Sequence, residues 1–316
     1  MVHLTINGIP VEASEDSTIL SVAQTAGIEI PTLCFLEGVN NIGSCRLCVV
    51  EVEGMDKLPT ACNTLVKEGM VVETESDRVV AARKTVLKLL LANHHLECFS
   101  CPKNGICELQ IACRRYGIED TTYKNTRSKV DNYRKQSHPF LSYRPDLCIH
   151  CQRCVSTCAK STGRHAIEVK KDGVHTVIDL PFGDGWKESL CESCGNCAQA
   201  CPTGALTEKR RKEYTKWDVK RVRTTCPHCA TGCQMDLIVK GNRIVDVEGA
   251  DGPATHGLLC VKGRSASFDF VDSPKRVRYP LIKNKETGEF EQASWEEALD
   301  LVAEKFTELR DRFGGD

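Results

Sequence analysis

Nineteen of the chain's 20 cysteines, together with one histidine, fall into five sets of four. No other feature limits the fold as much. Cys34, Cys45, Cys48 and Cys62 are spaced C-x10-C-x2-C-x13-C, and His94, Cys98, Cys101 and Cys107 follow as H-x3-C-x2-C-x5-C. Cys148, Cys151, Cys154 and Cys158 read C-x2-C-x2-C-x3-C, a pattern that Cys191, Cys194, Cys197 and Cys201 repeat with Pro202 behind it. Cys226, Cys229, Cys233 and Cys260 close the series as C-x2-C-x3-C-x26-C, leaving only Cys113. The opening MVHLTINGIPVEASEDS lacks the basic patch and apolar run of a signal peptide, and Arg114-Arg115 and Arg210-Arg211 lie too deep to act as a twin-arginine address. A cytoplasmic protein is expected, and thiols at this density in a reducing compartment point to metal.

Two plainer readings compete. Disulfides would suit an even count, but C-x2-C pairs sit on one tight turn facing the same way, and export is not expected. Structural zinc also uses a C-x2-C pair, and for the Cys226 set it stays open. The doubled C-x2-C-x2-C-x3-C is more specific. Three cysteines spaced by two wrap one corner of a [4Fe–4S] cube, and the fourth reaches the other cube of a two-cluster ferredoxin. Cys148, Cys151 and Cys154 should therefore share a cluster with Cys201, and Cys191, Cys194 and Cys197 with Cys158. The first repeat has Ala159 where the second has Pro202, which leaves the ligands intact and the backbone path after Cys158 open.

Around these sets the chain reads as α+β, a string of small domains. Residues 1–77 form a strand-rich domain: Val2–Ile6 and Ile9–Ala13 flank the turn Asn7-Gly8, and a short helix runs from Thr18 to Ala26, ending at Gly27. Gly38 and Gly43, between Cys34 and Cys45, suit a loop that hugs a [2Fe–2S] rhomb. Residues 79–93 repeat apolar side chains at helical spacing and deliver His94 at the helix end; His95 is its rival, one residue out of register. A neutral imidazole in place of a thiolate should raise that cluster's potential. Residues 114–147 are polar, basic and poorly periodic, and a connector is assigned to 118–137. Ala166–Val169 and Val174–Ile178 bracket Asp172-Gly173 as a hairpin, and Met235–Val239 and Arg243–Val247 bracket Gly241-Asn242 likewise. Ser294 and Glu297 form a capping box opening an amphipathic helix, which stops at Gly314-Gly315 where a strand should follow. Modules of this size are too small to bury large cores of their own, so cluster binding should supply much of their folding free energy.

The ordered series of motifs resembles the electron-input region shared by complex I large subunits, [FeFe]-hydrogenases and soluble formate dehydrogenases. The last set discriminates among them: CPHCATGCQMDLIVKGNRIVDVEG…GLLCVKGR resembles the first domain of molybdopterin oxidoreductases, and RYPLI and SWEEALDLVAEKF resemble that family's entry into its cofactor domains. Complex I large subunits typically keep one cluster where this chain has ligands for two, and no hydrogenase-type cysteines follow Cys201. The resemblance is strongest to the iron–sulfur part of the catalytic subunit of cytosolic, NAD-linked molybdenum or tungsten formate dehydrogenases. It implies a β-grasp [2Fe–2S] ferredoxin domain at 1–77, a His/Cys3 [4Fe–4S] module at 78–117, a two-cluster ferredoxin domain at 138–212, a molybdopterin-type [4Fe–4S] domain at 219–274 and the start of a molybdopterin-binding domain at 275–316.

The cofactors implied are one [2Fe–2S] and four [4Fe–4S] clusters, with a molybdenum or tungsten bis-pterin guanine dinucleotide outside these residues or in a partner. Lys262 is implied to ease electron transfer between the last cluster and that pterin. The formate-site residues would lie beyond residue 316, so no catalytic residue is assigned here. GxGxxG is missing, so NAD is expected on an NADH-dehydrogenase-like flavoprotein (FMN) subunit, with a small [2Fe–2S] subunit or ferredoxin as further partners. Lys+Arg 42 against Asp+Glu 43 leaves a net charge of −1, which offers no field for nucleic acid. The longest apolar runs, such as Leu89–Ala92, are far too short for a membrane span.

Overall fold

The computed structural model describes residues 1–123, 138–170, 176–180, 186–209, 214, 218–266, 268 and 270–315. It divides into two compact units, Met1–Ser267 and Phe268–Asp316. Both mix helix with strand. Among the described residues no helix is long and apolar enough to cross a membrane.

The chain opens with β1 (Val2–Ile6) and β2 (Ile9–Ala13), paired antiparallel. Val2, Leu4 and Ile6 are buried while His3 is exposed, the period of two that puts alternate side chains on one face. Asn7 (φ 52°) and Gly8 (φ 74°) make the turn, and the Asn7 side chain is locked to Thr74 by two bonds of 2.8 Å. α1 (Ile19–Thr25) begins at Thr18, which forms a capping box with Ser21. β3 (Glu51–Val52) and β4 (Val71–Glu73) complete a sheet of order β2-β1-β4-β3, with β4 parallel to β1. Ile6, Ile19, Leu20 and Val72 fill its core, which also takes in Cys48 and Cys62.

α2 (Asp77–Ala92) starts two residues before the apolar period suggests, because Ser76 Oγ accepts the Val79 N–H and caps it. Its buried stripe is Val79, Arg83, Leu87 and Leu91, one residue every four, with a charge inside it. Arg83 is 0% exposed; it donates to Glu75 (2.9 Å), the Tyr116 hydroxyl (2.8 Å) and the Val49 carbonyl (2.8 Å). α3 (Glu108–Arg115) buries Leu109, Ala112 and Cys113. One core then combines Leu33, Cys34 and Leu47 with Leu87, Leu91, Leu109, Tyr116, Ile149 and Cys151. Three cysteine sets thereby pool their apolar residues.

β5 (Leu141–Tyr143) lies inside the stretch 114–147 read as connector-like, and Leu141 and Leu147 are both 1% exposed. The polar residues of 139–146 hide two anchors for the next module. Residues 124–137, the bulk of the assigned connector, fall outside the described residues. After α4 (Arg153–Ser156), β6 (Glu168–Lys170) and β7 (Val177–Asp179) pair antiparallel as the expected hairpin, though its Asp172-Gly173 turn is outside the described residues. α5 (Asn196–Ala200) and β8 (Leu206–Glu208) follow, and β8 pairs with β5, closing the module end to end. The paths after the two repeats do differ. The helical winding continues past Cys158 and Ala159 as a π-turn to Ser161, whereas α5 stops at Ala200 and Cys201 is extended (φ −70°, ψ 121°). Proline restricts the residue before it to extended backbone and cannot donate onward.

β9 (Lys220–Thr225), β10 (Gln234–Lys240) and β11 (Arg243–Gly249) form a sheet of order β11-β10-β9. The β10–β11 hairpin turns at Gly241 (φ 59°) as expected. β9 was not foreseen, because KRVRTT carries no apolar alternation; ion pairs from Arg221 to Glu248 (2.8 Å) and Arg223 to Asp236 (2.6 Å) hold it instead. In the second unit β12 (Leu281–Lys283) pairs with β13 (Phe290–Gln292), and α6 (Trp295–Phe313) starts at the Ser294–Glu297 capping box. Leu299, Val302 and Phe306 on α6 are 61%, 47% and 69% exposed.

Candidate iron–sulfur centres

Cys34, Cys45, Cys48 and Cys62 are all buried and meet beside the first sheet. Cys45 and Cys62 donate to Cys34, holding its thiol far below the ordinary range, and a bond from Cys62 lowers Cys48. The donors Cys45 and Cys62 are pushed up correspondingly. Arg46 takes a left-handed backbone (φ 59°), curling the loop between Cys45 and Cys48. Gly43 (φ 66°) sits where a Cβ would stand 2.8 Å from the Asn63 side chain. Asn40, 1% exposed, donates to the Cys34 carbonyl (2.6 Å) and the Cys151 carbonyl (3.1 Å), and accepts from Ser156 Oγ (2.8 Å). The first set is thereby tied to the third.

His94, Cys98 and Cys107 line one cavity of about 290 Å³ at the end of α2, and Cys113 lines it too. Burial first, then repulsion from Cys101 and Cys98, raises Cys107, so the three thiols share a neighbourhood. Cys113 is pushed up to about 11 by burial and by Cys107 and Cys98. His95 turns away: its Nε2 lies 2.6 Å from Glu97 Oε1 at the exposed surface. Cys101 presses on Gly204, where an added Cβ would overlap its sulfur.

Around their central cysteines the two repeats take the same backbone path. His150 and Gln152 flank Cys151 with φ of 54° and 59°; Ser193 and Gly195 flank Cys194 with 58° and 77°. Left-handed residues on both sides of the central cysteine coil each loop around a common point. Burial raises Cys154, with added repulsion from Cys148, Cys201, Cys151 and Cys197. Burial likewise raises Cys197, with Cys194, Cys191 and Cys158 adding to it. The fourth cysteine of each repeat thus lies among the first three of the other, and the two groups adjoin through Cys154 and Cys197. Backbone N–H groups point at these sulfurs, from His150 to Cys148 (3.4 Å) and from Ala166 to Cys158 (3.2 Å).

Cys226, Cys229 and Cys233 sit on the loop from β9 to β10, where the Cys226 N–H donates to the Cys233 carbonyl (2.9 Å). Cys260 opens the turn that carries Lys262 and Gly263, and a Cβ on Gly263 would stand 3.4 Å from Cys226 Sγ. Cys229 and Cys260 are exposed, so this set opens outward. The Thr231 hydroxyl lowers Cys229, with Lys262 adding a smaller favourable charge. From the same turn Arg264, 3% exposed, reaches back into the ferredoxin-like module. It donates to the Cys194 carbonyl (3.0 Å), Asn196 Oδ1 (3.0 Å) and Gln199, and pairs with Glu208 (3.4 Å). Asn40 carries no local signature in the sequence, and nothing in the CVKGR that ends at Arg264 tells where its side chain reaches.

Among the described residues no three histidine, cysteine or acidic side chains gather tightly enough for a single ion. His94, Cys98 and Cys107 line a cavity instead, and the nearly all-thiol donors of the five sets suit iron–sulfur clusters.

Comparison with known proteins agrees with the donor chemistry. Residues 1–77 match the 2Fe-2S iron-sulfur cluster binding domain, 83–122 the NADH-ubiquinone oxidoreductase-G iron-sulfur binding region, and 138–207 the ferredoxin-like domain of NADH-quinone oxidoreductase subunit 3. Residues 219–271 match the molybdopterin oxidoreductase Fe4S4 domain and 276–315 the molybdopterin oxidoreductase family. The NADPH-Fe(3+) oxidoreductase subunit alpha of Geobacter sulfurreducens is 36% identical over 100% of this chain and 36% of its own length. A G-type NADH-quinone oxidoreductase subunit of Rhizobium meliloti is 35% identical over 96% of this chain and 35% of its own. A Staphylococcus haemolyticus protein provisionally named a formate dehydrogenase is 29% identical over 99% of this chain and 35% of its own. The chain therefore spans about a third of these relatives. A crystal structure of an NAD+-reducing [NiFe]-hydrogenase in the H2-reduced state aligns with TM-score 0.62 and 28% identity, over 68% of this chain and 90% of that one.

Proposed function

We propose that this chain, an iron–sulfur region related to the G-type subunits of NADH-quinone oxidoreductases within the molybdopterin oxidoreductase family, is the electron relay of an NAD(P)-linked oxidoreductase. The reading rests above all on the crossed repeats, in which Cys201 lies among Cys148, Cys151 and Cys154, and Cys158 among Cys191, Cys194 and Cys197. Cys34, Cys45, Cys48 and Cys62 would hold a [2Fe–2S] cluster. [4Fe–4S] clusters would be held by the crossed sets, by His94 with Cys98, Cys101 and Cys107, and by Cys226, Cys229, Cys233 and Cys260. When bound, such clusters supply one-electron transfer without proton chemistry.

The chain's own residues fix the sets in series and control their surroundings. Asn40 joins the first set to the third through two cysteine carbonyls, and Gly204 lets Cys101 approach the ferredoxin-like module. Arg264 joins that module to the turn of Cys260. Lys262 places a positive charge near Cys229, favouring added negative charge on that set.

Formate oxidation, or the reverse reduction of carbon dioxide, at a molybdenum or tungsten pterin is the activity we assign to the whole enzyme. Its support is the resemblance around CPHCATGC and CVKGR, with the relative provisionally named for that reaction. A flavoprotein subunit would exchange the electrons with the nicotinamide. A second reading, a separate relay subunit of a hydrogenase or NADH-linked complex, is favoured by the coverage of 90% of the hydrogenase chain.

Metal analysis of anaerobically purified native assembly tests these readings. The five sets require about 18 iron per chain. That value with molybdenum or tungsten, and cluster reduction by formate, is the expected result. Iron without either metal would favour the second reading. Zinc in place of iron would overturn the relay.

A further inference from the structure

His138 is 0% exposed and belongs to no ligand set, yet it stands against one. Its Nδ1 accepts two backbone N–H groups, from Phe140 (3.2 Å) and Leu141 (3.0 Å). A nitrogen that accepts cannot also carry the proton, so the neutral ring carries it on Nε2. Nε2 faces Ser193 Oγ at 3.3 Å and Cys191 Sγ at 3.8 Å. The ring is held from the side by Trp186, with centroids 5.1 Å apart and planes tilted by 53°. Trp186 belongs to the same turn as Cys191: its carbonyl accepts from Ser189 Oγ (2.7 Å), which accepts the Cys191 N–H (3.2 Å).

We propose that His138 is a positioning residue that donates an Nε2–H hydrogen bond to the Cys191 sulfur and raises the reduction potential of the cluster held by Cys158, Cys191, Cys194 and Cys197. The proposal rests on the reading that this set holds a [4Fe–4S] cluster. Reduction adds one negative charge to the cluster, spread partly onto its thiolates. A hydrogen bond to a sulfur is stronger in that state, so it favours the reduced form. No proton is transferred, and the bond needs only the tautomer that the two backbone donors impose. In the sister loop the Tyr143 hydroxyl faces Cys148, so the segment 138–143 supplies a side-chain group to the first cysteine of each repeat.

Two substitutions separate tuning from support. His138→Asn keeps an acceptor near the Nδ1 position for the Phe140 and Leu141 amides but removes the donor to sulfur. His138→Gln keeps a donor near the Nε2 position and loses the acceptor. EPR-monitored redox titrations are run on the native assembly, with the cluster's signal assigned by its loss in Cys194→Ala. In His138→Asn the ratio of oxidised to reduced cluster at the wild-type midpoint should rise roughly tenfold, a fall of about 59 mV for a one-electron couple. In His138→Gln the midpoint should stay near wild type.

Histidine labelled with 15N gives a measurement that needs no variant. A weak coupling on this cluster's signal is expected, distinct from the strong coupling of the His94-ligated one. A cluster present with an unmoved midpoint in His138→Asn, or with no 15N coupling in wild type, overturns the proposal and leaves the ligand set standing. No signal that depends on Cys194 overturns the ligand set itself.

Discussion

Arg264→Met should loosen the junction between the Cys260 turn and the ferredoxin-like module without touching a ligand. The guanidinium is 3% exposed and donates to the Cys194 carbonyl, Asn196 and Gln199, with Glu208 at 3.4 Å. Bonds from a charged donor are worth about 1.5–3 kcal/mol each, but several on one group do not add. Removing one partner of a buried charged network costs about 3–5 kcal/mol. The Leu259 amide, which donates to Asn196 Oδ1 (3.2 Å), reports on this junction. Native-state hydrogen exchange read by mass spectrometry should show its protection fall by roughly two to three powers of ten, at one power per 1.4 kcal/mol.

Gly195→Ala supplies the cross-check. Its φ of +77° disfavours any side chain, and its Cβ would stand 2.5 Å from Arg264 Cδ. With Arg264 intact it should lose both the backbone preference and the arginine's seat; in an Arg264→Ala background only the backbone cost, about 1 kcal/mol, should remain. Protection at Leu259 unchanged within about threefold in Arg264→Met, or strictly additive effects in the cycle, would show that the arginine bridges nothing.

Three further outcomes can be checked independently. His94→Cys should lower the potential of its cluster, because a thiolate adds negative charge where the imidazole is neutral, whereas His95→Ala should leave that redox titration unchanged. Gly204→Ala forces a Cβ onto Cys101 Sγ and to 3.3 Å from Leu147 Cδ1; iron should fall by about four per chain while the visible spectrum of the [2Fe–2S] group persists. Anaerobic chelation of iron should remove much of the far-UV circular dichroism, since modules this small lean on their clusters for folding free energy; a spectrum unchanged after complete iron loss would refute that dependence.

The iron–sulfur class of the domains was the legible part of this protein, because clusters impose short, repeated cysteine spacings that survive in a single sequence. The residues that join the sets were not legible. Arg83 looks like a break in the apolar face of α2 until Tyr116 and Val49, over thirty residues away in either direction, are seen to use its donors. Asn40 and Cys151 are 111 positions apart, and Arg264 and Cys194 are 70 apart. No periodicity records such pairs. Strand β9 is hidden for a related reason: the charges that pair across its ladder with β10 look, in one dimension, like a solvated basic run.

The pooled core also constrains how the protein can be made. Cys48 and Cys62 are 0% exposed, and Cys34 and Cys45 only 1% and 6%, sealed partly by residues of the first sheet and partly by a core that includes α2 and Ile149. A maturation factor carrying a preassembled cluster has no approach to these sulfurs once that core has closed. Were the first set to take up a cluster, uptake would have to come early, while the later motifs are still unpacked. Biogenesis would then follow the order of synthesis, and a chain that closed before its first delivery would have to reopen three motifs to be repaired.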